Sequence, residues 1–157
     1  MQISFLDVTA ADAPRLAHIV LAPGQEAFVT LPVDRLSQLG AKEDGHAVVA
    51  GDRIVGFFVI DRDFAASHPF ARPGEIGLRA LAIDAAQQGR GIGRAVFEAL
   101  PAMLALRYPG VAGAVLSVNQ RNPRARDLYL RNGWQDGGEL YHGGRSGPQH
   151  VLRLPLG

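Results

Sequence analysis

The stretch Leu81-Ala82-Ile83-Asp84-Ala85-Ala86-Gln87-Gln88-Gly89-Arg90-Gly91-Ile92-Gly93-Arg94 decides how this chain folds. An apolar run stops at a short polar turn, and a Gly/Arg-rich loop leads from there into a helical pattern. Such a strand–loop–helix unit aims several backbone N–H groups at one spot, at the positive end of a helix dipole. That geometry binds phosphate. Glycine at 89, 91 and 93 lets an anion approach the backbone with no Cβ in the way. Arg90 and Arg94 add positive charge beside it. The loop reads as a pyrophosphate cradle.

Several phosphate-binding loops share this outline, and the residues sort them. A P-loop needs Gly-Lys-Ser/Thr at its end, whereas this chain has Gly93-Arg94-Ala95 and offers neither the lysine nor a metal-binding hydroxyl. A dinucleotide fingerprint Gly-x-Gly-x-x-Gly beginning at Gly89 requires glycine at position 94, which is arginine. It also wants an acidic residue about 20 positions further on, where the chain reads Pro109-Gly110-Val111. Both fail. What remains is Gln88-x-x-Gly91-x-Gly93 after a strand, which resembles the acyl-CoA loop of the GNAT superfamily of N-acyltransferases. An ordinary glycine-rich turn before a helix is the competing reading, and three glycines with two arginines at one helix start weigh against it.

A second block lies downstream, Leu116-Ser117-Val118-Asn119-Gln120-Arg121-Asn122-Pro123-Arg124-Ala125-Arg126-Asp127-Leu128-Tyr129-Leu130-Arg131-Asn132-Gly133-Trp134. It is a strand, a short turn and a helix with clear punctuation. Asn122 is a good N-cap, and Pro123 sits at the first helical position, where its missing N–H costs nothing. Gly133 follows the last helical residue as a stop. Ala125, Leu128 and Tyr129 share a face at i, i+3, i+4 spacing. A capped amphipathic helix with a core-facing tyrosine accounts for the block by itself. Yet Asn-x-x-Ala-x-x-x-Tyr-x-x-x-Gly-aromatic at this distance from the first loop resembles the second GNAT signature. The two signatures together span roughly residues 78 to 134.

Composition agrees with a small enzyme domain. At 157 residues the chain is long enough to bury a core as one domain. Sixteen basic against fifteen acidic residues give no net field for nucleic acid or a membrane surface. Met1-Gln2-Ile3-Ser4-Phe5 lacks a basic region and a long apolar run, so no leader is expected. No apolar stretch approaches the ~20 residues that span a bilayer. With no cysteine there are no disulfides, thiolate zinc sites or cysteine nucleophile. His18, His46, His68, His142 and His150 are scattered without ligand spacing, so no metal site is expected. A cytoplasmic protein is the default.

Around the two signatures the pattern predicts a strand over 3–8 and a helix over 12–21, capped by Asp12 or Thr9, with Leu16, Ile19 and Val20 on one face. A helical turn is expected near 33–39, and strands over 46–50 and 53–60 flank a Gly51-Asp52 hairpin turn. A loop over 61–74 carries Phe64, His68 and Phe70. A strand over 76–83 and a helix over 92–108 follow, and Pro101 is expected to kink or split that helix near Ala99. A strand over 114–118, a helix over 123–132 and a closing strand pair, with Leu140 on one side and 151–154 on the other, complete the chain. That pair surrounds the turn Gly143-Gly144-Arg145-Ser146-Gly147-Pro148.

This order of elements is also that of GNAT proteins. The resemblance implies a single α/β (α+β) domain over 1–157. Its mixed, mostly antiparallel sheet is splayed between the fourth and fifth strands and flanked by about four helices. Strands that part leave N–H and C=O groups unpaired, and an amide-rich pantetheine satisfies them. Carried over by position, Leu81, Ala82 and Ile83 offer main-chain partners to pantetheine. Gln88, Gly89, Arg90, Gly91, Ile92, Gly93 and Arg94 hold the pyrophosphate of acetyl-CoA, and Asn122 bonds the cofactor's arm as well as, or instead of, capping its helix.

The implied reaction is direct attack of a small molecule's primary amine on the acetyl thioester in a ternary complex, with no metal. Tyr129 is the implied general acid for the leaving thiolate. A thiol pKa of about 8.5 against about 10 for tyrosine makes full proton transfer slightly uphill, so a hydrogen bond to sulfur carries much of the effect. The oxyanion falls to a backbone N–H near Ala82 or Ile83. Many relatives keep a glutamate at the position of Ser117, and this chain departs from them. Glu75 is the next candidate base, with Glu26 and Asp61 weaker, or the amine arrives already deprotonated. The acceptor pocket is expected from 25–29, from Phe64 to Phe70, and from Tyr141, His142 and His150. Two alternatives stand beside this: a non-catalytic acyl-CoA-binding sensor module, and an acetyltransferase acting on a protein or peptide amine. Exposed strand edges leave room for a homodimer.

Overall fold

The structure, a computed structural model, describes residues 2–144 and 146–157. Met1, at the start read for a leader, and Arg145, in the last turn, lie outside the described residues. Seven strands form one mixed sheet: β1 (Ile3–Val8), β2 (Glu43–Ala50), β3 (Arg53–Asp61), β4 (Glu75–Ile83), β5 (Gly113–Asn119), β6 (Gln135–Tyr141) and β7 (Gln149–Pro155). Their order is β1-β2-β3-β4-β5-β7-β6. The α-helices are α1 (Pro32–Leu36), α2 (Ile92–Arg107) and α3 (Pro123–Arg131), and four short 3-10 segments join the rest. Neighbouring pairs β1–β2, β2–β3, β5–β7 and β6–β7 run antiparallel, while β4–β5 is parallel.

The chain divides into two compact units, Met1–Arg62 with Leu78–Val96, and Asp63–Gly77 with Phe97–Gly157. In the first, β2 and β3 form the expected two-residue hairpin at Gly51-Asp52, Ala50 pairing with Arg53. Its core gathers Val8, Leu16, Ile19, Leu36, Ala47 and Phe57. The helix expected over 12–21 is instead a 3-10 segment, Ala10–Leu16, with Pro14 inside it. Proline removes a backbone donor and its ring clashes with the preceding turn, which favours a short tight coil over a full α-helix. Thr9 still begins it, its N–H donating to the Asp12 carboxylate at 2.9 Å. Leu16 and Ile19 are buried as expected, but Val20 is half exposed.

In the second unit the parallel β4–β5 ladder has three rungs, Glu75↔Gly113, Ile76↔Ala114 and Gly77↔Val115. Leu78–Ile83 and Leu116–Asn119 lie outside it, which is the splay. Only glycine fits at 77, since a Cβ there would stand 2.2 Å from the Phe64 ring. Cross-strand pairing sorts the faces: Val115, Ser117, Val151 and Arg153 share one side, and Leu116, Val118, Leu152 and His150 the other.

Pro101 does not split α2, which runs unbroken for 16 residues. The lost bond to the Phe97 carbonyl costs ~3 kcal/mol. Against that, Val96, Phe97, Leu100, Met103 and Leu104 are all buried on one stripe, each contributing about 1.5–3 kcal/mol. The stripe outweighs the break.

Candidate functional site

The loop at the end of β4 is built from the strand outward. Asp84, fully buried, terminates β4: its N–H donates to the Val55 carbonyl at 2.8 Å, and its Oδ1 accepts from the N–H groups of Val20 and Ala86, both at 3.2 Å. The chain then makes a 3-10 turn, Ala85–Gln87, before α2 begins. Gly89 and Gly91 have φ of +81° and +75°, the left-handed region in which other residues are strained. Gly93 is different. It lies in the first turn of α2, and a Cβ added there would meet open space, as at 89 and 91. Nothing inside the protein requires glycine at 93. The Ala95 N–H already bonds the Gly91 carbonyl, and the N–H groups of the first helical turn before it have no partner inside the helix. Gln88, Gly89, Arg90, Gly91 and Arg94 are exposed and Ile92 is buried beneath them. A pyrophosphate fits this surface: open glycines, first-turn donors and two arginines.

β4 itself carries a backbone irregularity. Ala80 has φ +58°, the one non-glycine residue in that region among the described residues. A methyl side chain held there stores strain of order 1 kcal/mol. It immediately precedes Leu81, Ala82 and Ile83, of which Ala82 is buried and the others half-buried. Sequence periodicity gave no sign of it.

In the second unit α3 has the expected punctuation. Asn122 Oδ1 accepts the Ala125 N–H at 3.4 Å, Pro123 opens the helix, and Gly133 follows at φ +95°. Tyr129 is buried between two rings, edge-on to Phe97 at 4.6 Å and to Trp134 at 5.3 Å between centroids. Burial pushes the Tyr129 hydroxyl far above the usual tyrosine range. Arg126 clamps α3 to β6, donating to Asp136 Oδ2 from Nη2 at 2.8 Å and from Nε at 3.2 Å.

The expected acceptor segments separate. Phe64, Phe70 and Tyr141 cluster against Val115 and Val151 on the Ser117 face, and His68 stacks on Phe64. His150 stands on the opposite face, its Nδ1 3.6 Å from Asp136. Glu26, in the first unit, is exposed on a 3-10 turn, and Asp61 is buried with Arg79 3.4 Å away. Glu75 has both oxygens occupied: Oε1 accepts the Arg72 N–H at 2.6 Å and Oε2 accepts Arg153 Nε at 3.0 Å. Arg153, which the sequence reading passed over, also donates to Glu139 and to the Phe70 carbonyl. Among the described residues no group of three or more His, Cys, Asp or Glu is placed to hold a metal ion, and no helix is long and apolar enough to cross a membrane.

Comparison with known proteins identifies the family and the fold. A family profile described as an acetyltransferase (GNAT) domain matches residues 43–136. YbbJ of Bacillus subtilis (strain 168), an uncharacterized N-acetyltransferase, is 32% identical over 132 residues, covering 80% of each chain. Among solved structures, AAC(6')-Ib in complex with paromomycin and acetyl-CoA is similar with a TM-score of 0.77 at 17% identity, over 99% of this chain and 94% of that one. The ribosomal-protein alanine N-acetyltransferase from Escherichia coli gives a TM-score of 0.66 at 21% identity, with the same coverage.

Proposed function

Because this chain belongs to the GNAT family of acetyl-CoA-dependent N-acetyltransferases, we propose that it acetylates the primary amine of a small molecule by direct attack, without a covalent enzyme intermediate. Bound acetyl-CoA supplies an acetyl group activated as a thioester. The observation that carries the reading is the loop, where Gly93 has no internal reason to be glycine and opens beside the N–H groups of the first helical turn. Residues Gln88 to Arg94 hold the pyrophosphate through those donors, and the main chain of Leu81, Ala82 and Ile83 takes the pantetheine. Asn122 has its Oδ1 committed to the α3 cap, so its Nδ2 is the atom assigned to the cofactor's arm.

Tyr129 serves the leaving sulfur. With its hydroxyl pushed up by burial and a thiol near pKa 8.5, it stabilises the departing thiolate as a hydrogen-bond donor and keeps most of its proton. The base role passes away from Glu75, whose oxygens already accept two hydrogen bonds. Ser117 supplies no carboxylate in its place. The acceptor therefore reacts as the neutral amine drawn from solution. One continuous domain performs this, since β4 and α2 each run through both compact units.

Titration calorimetry with acetyl-CoA, CoA, ATP and NAD tests the cradle. Binding of acetyl-CoA and CoA alone is expected, followed by thiol release in an amine panel, and the cysteine-free chain adds no background thiol to that assay. Absence of acetyl-CoA binding sinks the reading. Binding without thiol release for any amine, free or in a peptide, would favour the sensor module.

A further inference from the structure

Two consecutive residues of β4, Arg79 and Ala80, reach the same face of the sheet in the first unit. Pairing of β2 with β3 sets Glu43, Gly45 and Ala47 opposite Asp61, Val59 and Phe57 on that face. Ala80 packs against the core cluster that contains Ala47, Phe57 and Val59. Arg79 reaches the end of the same face, its Nη1 donating at 3.4 Å to Glu43 Oε2 and at 3.4 Å to Asp61 Oδ2. Successive residues of a regular strand point to opposite faces. The φ of +58° at Ala80 breaks that alternation. A break of this kind bends a strand and re-aims the groups that follow it.

A left-handed alanine persists only where its surroundings over-determine it, and here the stretch is fixed at both ends. Downstream, the Asp84 N–H donates to the Val55 carbonyl at 2.8 Å. The Ala82 carbonyl lies so close to Gly56 that a Cβ there would stand 2.9 Å from it. Upstream the fixture is ionic. Glu43 is itself anchored, Oε2 accepting from Arg35 Nη2 at 2.5 Å and Oε1 from the Gly40 N–H at 2.8 Å. Asp61 is buried. Two anchored carboxylates therefore grip one guanidinium, in a setting where salt screens such pairs weakly. The transfer chemistry proposed above uses none of these three side chains.

Resting on the acetyltransferase reading, we propose that Arg79 is a positioning residue. Gripped by Glu43 and Asp61, it holds Ala80 in the left-handed conformation and so aims the main-chain groups of Leu81, Ala82 and Ile83 at the pantetheine arm. Without the grip Ala80 relaxes to negative φ, and the N–H and C=O groups after it turn away from the arm. The arm then binds less tightly, and the thioester sits out of line for attack. Glycine at 80 adopts positive φ without strain and needs no grip. Ala80→Gly should therefore rescue the loss of Arg79, which it could not do if Arg79 served stability alone.

The test is a double-mutant cycle of Arg79→Met and Ala80→Gly in the full chain, read by acetyl-CoA calorimetry, by kcat with the best amine of the panel and by Tm. Arg79→Met keeps the aliphatic stem and removes the charge. It should raise the Kd for acetyl-CoA about tenfold and lower kcat about tenfold. With Ala80→Gly already present, the same substitution should change Kd and kcat by no more than about twofold. Should Arg79→Met fail to fold, Arg79→Lys takes its place. One ammonium cannot match the guanidinium's hold on two carboxylates, so a loss of about threefold is expected, again relieved by Ala80→Gly. No loss of acetyl-CoA affinity in a folded Arg79 variant overturns the proposal, as does an equal loss in both backgrounds, and Kd decides even where no amine is turned over. Failure of the wild type to bind acetyl-CoA removes the underlying acetyltransferase reading instead, and this inference with it.

Discussion

At Tyr129 a buried phenol sits between Phe97 and Trp134, and its protonation follows from that burial. Because the folded pKa is raised, the associated stability is complete below about pH 10, the unfolded tyrosine value, and is lost as pH rises towards the folded one. Across a neutral assay range the hydroxyl stays a donor. Tyr129→Phe should lower kcat by about 10²-fold while the calorimetric Kd for acetyl-CoA stays within about twofold; unchanged turnover would remove the tyrosine from the chemistry. Gly93 separates stability from binding. Gly93→Ala should stabilise α2 by about 0.5–1 kcal/mol, seen as a higher Tm, and weaken acetyl-CoA by about tenfold or more because a methyl enters the cradle. A variant with tighter acetyl-CoA binding would place the pyrophosphate elsewhere. Glu75→Gln should cost about 1–3 kcal/mol of stability, with the rise of kcat/KM with pH unchanged in shape and tracking the pKa of the amine used. Disappearance of that limb would restore Glu75 as the base.

Between elements, ion pairs tie loops and helices to strands. On β6, burial pushes Asp136 up, but hydrogen bonds from Arg126 and the Gly138 N–H and the charges of Arg126 and His150 outweigh it and hold the carboxyl below its usual range. On β2, burial likewise pushes Glu43 up, and Arg35, the Gly40 N–H and Arg79 more than reverse it. Depressed carboxyl values contribute stability that is complete above the unfolded pKa, about 4, and is lost as pH falls through the folded one. Urea titrations from pH 7 to pH 3 should therefore show a falling acid limb, shallower in Asp136→Asn; an identical limb would assign the acid sensitivity to other groups. These pairs were not legible in the sequence. Arg153 meets Glu75 from 78 positions away, and no local spacing signals a partner at that distance. The strands and the α3 cap were legible because each depends on neighbours a few residues away: alternation at Ile3–Val8, Gly51-Asp52 at the hairpin, and Asn122-Pro123 before the helix.

For the whole chain, β4 and α2 each cross from one compact unit to the other without interruption. Unfolding either unit breaks elements that belong to both, so calorimetry should record a single transition with equal calorimetric and van't Hoff enthalpies. Two resolved transitions would divide the chain into two domains. Saturating acetyl-CoA should move that single transition upward by mass action, by about 2.7 kcal/mol at a hundred times Kd.

By itself the sequence determined the order of strands and helices, the glycine-rich loop after β4 and the family, because turn glycines, caps and hydrophobic periods act over a few residues. It misjudged the segment at Ala10–Leu16, and of the two outcomes expected of Pro101 in α2, a kink or a split, the split does not occur. In the first, Pro14 within an apolar pattern yielded a tighter coil. In the second, burial of the Val96, Phe97, Leu100 and Leu104 stripe outweighed Pro101. Only the tertiary structure decided which face each strand residue occupies, and so parted His150 from Tyr141 and joined Arg153 to Glu75 and Phe70. Register and long-range ion pairs arise from packing between segments far apart in the chain, and packing has no period to read.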